Sequence, residues 1–97
     1  MAGIGVVATL TVAEGKNAEF EAIFTELAAQ VRANEPGNLF YTLTRSRAQP
    51  QVYRVLEAYA DQAALDAHGK TDYFRAAGPK LGPCLAGAPE IEYLDAV

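Results

Sequence analysis

The 97-residue chain has 51% hydrophobic residues, a formal net charge of −4 and a single cysteine. Its length fits one domain over residues 1–97, and its basic residues are scattered rather than clustered, so neither nucleic acid nor an anionic membrane surface is an expected partner. Cys84 cannot form an internal disulfide, and no apolar run approaches the roughly 18 residues of a membrane span. The first residues show no basic segment followed by an apolar core and a small-residue cleavage site, so a cytoplasmic location is expected.

Ile4 to Val12 alternates Ile4, Val6, Ala8, Leu10 and Val12 with Val7, Thr9 and Thr11, the pattern of a strand covered on both faces. After the break at Ala13-Glu14-Gly15, Lys16 to Ala33 reads as a helix. Phe20, Ile23, Phe24, Leu27 and Val31 form its apolar stripe and dock it on a sheet. Glu35-Pro36-Gly37 ends that helix: Pro36 restricts Glu35, and Gly37 can take a positive φ. Asn38–Arg45 and Val52–Tyr59 return to period two across a short polar connection, which predicts a hairpin.

Asp61 is placed to cap a helix over Gln62–His68, and Gly69 interrupts it. A further helical segment is expected from Thr71 to Ala77, stopped by Gly78-Pro79. Leu81–Gly87 is too rich in glycine and proline for a regular element, and Pro89–Leu94 supplies a last strand. The order β-α-β-β-α-β predicts an α+β, ferredoxin-like domain with a four-stranded antiparallel sheet and its helices on one face. Strands this apolar on both sides need a second cover. A second copy, sheet against sheet, would form a homodimeric α+β barrel.

Four groups of residues together resemble the antibiotic biosynthesis monooxygenase superfamily, small quinol monooxygenase type. They are Glu35-Pro36-Gly37-Asn38-Leu39-x-Tyr41, Glu57-x-Tyr59-x-Asp61, Ala64-x-x-x-His68-x-x-Thr71-x-x-Phe74 and Pro89-x-Ile91. The resemblance implies a dimeric barrel that oxidises a small aromatic quinol or polyketide-type phenol with O₂ and needs no cofactor or metal. The protein's task in such chemistry is to bind the ring, assist deprotonation, stabilise the anion and exclude water. The haem-degrading branch of the superfamily uses an Asn, a Trp and a His where this chain has Val7, Tyr59 and Gly78, so haem chemistry is not expected.

His68, the only histidine, is the one side chain whose ordinary pKa suits proton transfer near neutrality, and the resemblance places a histidine there too. Glu57 lies on the strand face shared by Tyr53, Val55 and Tyr59, where an unpaired carboxylate is costly. It is expected to accept a hydrogen bond from His68 or a nearby backbone group; pairing with Arg45 or Arg54 is the alternative. Tyr41, Tyr53, Tyr59, Tyr73 and Phe74 are the candidate ring contacts. Relatives often carry a second histidine where this chain has Tyr73, so His68 stands alone. The sequence leaves two other uses of such a pocket open: a non-catalytic domain that binds or protects a small aromatic, and an isomerase or cyclase.

Overall fold

A computed structural model describes residues 3–97. Four strands, β1 (Ile4–Thr11), β2 (Asn38–Arg45), β3 (Val52–Tyr59) and β4 (Glu90–Asp95), form an antiparallel sheet in the order β2-β3-β1-β4. Three helices, α1 (Asn17–Asn34), α2 (Gln62–Gly69) and α3 (Asp72–Leu81), complete a ferredoxin-like α+β fold. The core lies where α1 meets the sheet. Phe20, Phe24, Leu27 and Val31 of α1 are buried against Leu10, Tyr41, Tyr53 and Val55, as the helical stripe and the strand alternation predict.

Strand register divides the sheet cleanly. Val6, Glu57, Tyr41 and Tyr93 are mutual neighbours across it, on the face that carries the helices. The opposite face carries Phe40, Leu56 and Leu94, which stay exposed. β4 pairs only with β1, and α3 packs chiefly on α1, so the helix side of β4 is left without a helical cover while Val6, Ala8 and Leu10 of β1 stay buried. Ile91 and Tyr93 are consequently 53% and 63% exposed although they point to that side.

Two expectations from the sequence need correction. The third helix does not stop at Gly78-Pro79 but runs to Leu81, with Pro79 inside it. A proline disfavours helical backbone in the residue before it largely through that residue's Cβ, and glycine has none. Gly78-Pro79 and Gly82-Pro83 therefore both remain helical, the second pair in a 3₁₀ turn over Gly82–Cys84 that buries Cys84.

Gly37 does not use a positive φ; among the described residues only Gly15 does, at 83°. Gly37 instead allows a close approach, because a Cβ there would lie 2.6 Å from the Cβ of Ala64. Its carbonyl also accepts from the Ala60 amide at 2.9 Å, which ties the end of α1 to the start of α2. Gly37→Ala must push α2 away, and we expect a loss of about 1–3 kcal/mol, the usual cost of overpacking, read from denaturant melts. An unchanged midpoint would contradict this role.

Candidate active site

Pro36 holds Glu35 in extended backbone, with φ −117° and ψ 91°, where α1 ends. From there the Glu35 carboxylate meets the two helices that follow β3. His68 Nδ1 lies 3.0 and 3.1 Å from its two oxygens, and the Tyr73 hydroxyl donates to the same carboxylate. The His68 and Glu35 side chains are 6% and 10% exposed. A carboxylate can only accept, so Nδ1 carries the hydrogen, and in the neutral ring the lone pair is left on Nε2. Asp61 and Thr71 fix the helices around this cluster. Asp61 accepts from the Ala64 amide at 2.8 Å, while Thr71 accepts from the Phe74 amide and donates to the His68 carbonyl at 2.9 Å.

The imidazole sits among three aromatic rings, with centroid distances of 5.4 Å to Tyr41, 5.5 Å to Tyr59 and 4.6 Å to Phe74. Beside it opens a cleft of about 1100 Å³ between the helix side of β1 and β4 and the walls made by α2 and α3. Tyr41, Glu57, His68 and Phe74 line it, with Val6, Ala8 and Leu10 beneath. Among the described residues neither His68 Nε2 nor the Tyr41 hydroxyl has a hydrogen-bond partner, yet no fully buried side-chain nitrogen or oxygen lacks one. Both atoms therefore open on the cleft that their residues line. They are the polar atoms that the His68–Tyr41 end offers to a ligand on a mostly apolar surface.

The carboxylate that engages His68 is thus Glu35, not Glu57. Glu57 accepts instead from the Tyr59 hydroxyl at 2.7 Å, and it pairs with neither Arg45 nor Arg54; Arg45 lies 3.6 Å from Glu21. Burial pushes the Glu57 carboxyl above its usual range, and the Tyr59 hydrogen bond and a charge on His68 oppose the rise only in part. The candidate ring contacts also separate. Tyr41 and Phe74 line the cleft, whereas Tyr59 and Tyr73 stand behind it, holding Glu57 and Glu35. Tyr53 lies in the core against Phe20, 4.9 Å between ring centroids, with its hydroxyl on Asn17 and Glu21, and takes no part in the cleft.

Burial raises the tyrosines of this region well above the ordinary phenol value, Tyr41 and Tyr59 most strongly. Tyr73 is pushed up to about 12 by burial and then by the hydrogen bond and charge of Glu35. Each stays a phenol near neutrality and can donate, not attack. The folded state holds these protons more tightly than the unfolded chain, whose tyrosines titrate near 10, so stability falls as pH rises from about 10 toward 12. We expect melts over that range to show a shallower decline in Tyr73→Phe; an identical slope would contradict the assignment. Cys84 is fully buried, its thiol donates to Glu19 at 3.4 Å, and burial raises its pKa, which suits packing rather than nucleophilic attack. Among the described residues no three His, Cys, Asp or Glu side chains converge as metal ligands, and no helix is long and apolar enough to cross a membrane.

Residues 3–80 match the family described as antibiotic biosynthesis monooxygenase. The chain belongs to that family. Among solved structures, a "putative antibiotic biosynthesis monooxygenase" from Caulobacter crescentus CB15 is 62% identical, with a TM-score of 0.97 over 99% of this chain and 91% of the other. A conserved protein from Methanosarcina mazei Go1 is 29% identical, with a TM-score of 0.91 over 98% of this chain and 93% of that one. A Nitrosomonas europaea protein at 18% identity and a TM-score of 0.93, covering 98% and 90% of the two chains, shares the fold. No protein of curated function matches. In this member of the antibiotic biosynthesis monooxygenase family, Glu35 is the site residue that sequence reasoning used only as a turn residue. Its one signal was an acid directly before the proline of a turn that belongs to the family pattern.

Proposed function

We propose that the protein is a cofactor-independent monooxygenase that oxidises an aromatic quinol or polyketide-type phenol with O₂. The observation that carries this reading is His68, held through Nδ1 by Glu35, with Nε2 open on an apolar cleft. Nε2 takes the phenolic proton, and the Tyr41 hydroxyl donates to the oxyanion that forms. The electron-rich anion passes one electron to O₂, and the substrate radical and superoxide combine at a ring carbon as a peroxide. The peroxide is protonated, and its O–O bond breaks as the carbon loses its hydrogen, which leaves a carbonyl and releases water. The substrate supplies all four electrons; one oxygen atom stays in the product and the other leaves as water. In this reading Glu57, which lines the same cleft and whose carboxyl burial pushes above its usual range, returns a proton to the peroxide.

Membership of the antibiotic biosynthesis monooxygenase family supports oxygenation as the reaction type. The test is O₂ uptake with a panel of naphthoquinols and anthrones, together with ¹⁸O₂ labelling of the product. One labelled atom per product is expected. Binding without O₂ consumption would favour a non-catalytic aromatic-binding domain, and turnover without O₂ an isomerase or cyclase.

The exposed Phe40, Leu56 and Leu94 support a homodimer in which the sheets of two copies face each other. We expect a solution mass of two chains at micromolar concentration; a clean monomer would sink the barrel.

A further inference from the structure

The cleft is polar at one end only. Register places Tyr41, Glu57 and Val6 in one row across the sheet, and His68 stands against that row. Along β1 the floor then continues through Ala8 to Leu10, a further run of roughly 13 Å at strand spacing. The far end is closed by Leu81 and Leu85, both half-buried and both apolar. On the α3 side the wall includes Gly78 and Gly82, which put no side chain into the trough. Its volume of about 1100 Å³ exceeds the roughly 300–1,000 Å³ that accommodates drug-sized ligands, and a bare two- or three-ring phenol leaves most of it empty.

The geometry points to a substrate in two parts: a phenolic or quinol ring at His68 and Tyr41, and a long apolar substituent, an alkyl or isoprenoid chain, lying in the trough from Ala8 to Leu85. This rests on the reading of His68 and Tyr41 as the contacts of a phenol ring. It goes beyond that reading in naming the tail and the residues that would select it. Water in an apolar trough finds few partners, while a chain laid along it removes apolar surface of both ligand and protein from solvent.

The test is a series of 1,4-naphthoquinols with linear 2-alkyl chains of increasing length, bound under argon by calorimetry and then exposed to O₂. Full burial of a methylene is worth about fourfold in affinity, and a trough open on one side should give about twofold for each, levelling once the chain reaches Leu85. Leu85→Trp, which fills the far end, should bring the ratio of short-chain to long-chain Kd toward one. Leu81→Gln, which makes that end polar, should do the same and serves if the tryptophan variant does not fold. A Kd that falls with chain length supports the tail site even where no O₂ is consumed, an outcome that would overturn the oxygenase reading alone. A Kd indifferent to chain length, with O₂ uptake intact, overturns the tail site and leaves the oxygenase. A chain-length gain that neither variant reduces also overturns it, since the tail would then lie elsewhere.

Discussion

Replacing His68 with glutamine should lower kcat by about 10²–10⁴-fold, the usual loss when a positioned general base is removed. No other side chain lining the cleft has an ordinary pKa near neutrality, so nothing else can take over the proton at that pH. Glutamine is chosen because its amide can still donate to Glu35; alanine would leave that buried carboxylate with only the Tyr73 hydroxyl, and breaking such a pair costs about 3–5 kcal/mol. The variant is therefore expected to fold, with the loss falling on kcat rather than KM. A His68→Gln enzyme with kcat near that of the wild type would remove histidine from the mechanism.

Glu35 carries the second large effect, and two substitutions there should part company. Glu35→Ala leaves both the Nδ1 hydrogen of His68 and the hydroxyl of Tyr73 without their acceptor, inside a cluster almost closed to solvent. Its expected cost is about 3–5 kcal/mol, a large share of the roughly 5–15 kcal/mol that holds a small domain together. Glu35→Gln retains the shape but presents an N–H₂ group toward one of two donors. If the N–H₂ faces the ring, Nδ1 becomes the acceptor, the imidazole hydrogen moves to Nε2 and the lone pair leaves the cleft. If the amide oxygen accepts from Nδ1 and the N–H₂ donates to the Tyr73 hydroxyl oxygen, the tautomer stays but the negative charge that supports an imidazolium is gone. Activity should then fall by about 10²–10⁴-fold at a far smaller cost in stability. Equal losses of stability in the two variants, with activity retained in Glu35→Gln, would show that the carboxylate only supports the fold.

The contrast between Glu35 and Glu57 shows what the sequence carried and what it did not. Strand alternation put Glu57 on the buried face beside Tyr53 and Tyr59, and the register confirms that face. Alternation says nothing about position along the strand or about what stands above it. Tyr53 and Tyr59 share a face, yet one lies in the core against Phe20 and the other against His68. Glu35 is 33 residues from His68 and 38 from Tyr73, and the contact exists only because the α1–β2 turn, held to Ala60 through Gly37, lies against the start of α2. Such a meeting follows from tertiary packing and leaves no period in the chain. Element order, by contrast, was legible throughout, because every strand and helix carries its own alternation, stripe or cap. The single long miss, the run of α3 through Pro79, came from counting the proline as a stop without crediting the glycine before it.

Glu35 holds the hydrogen of His68 on Nδ1 and so leaves a bare Nε2 toward the cleft. Nitrogen-15 NMR of the single histidine, at a pH where the ring is neutral, tests it most directly. We expect the protonated, pyrrole-type signal on Nδ1 and the unprotonated, pyridine-type signal on Nε2. A wild-type ring that carries its hydrogen on Nε2 would contradict it.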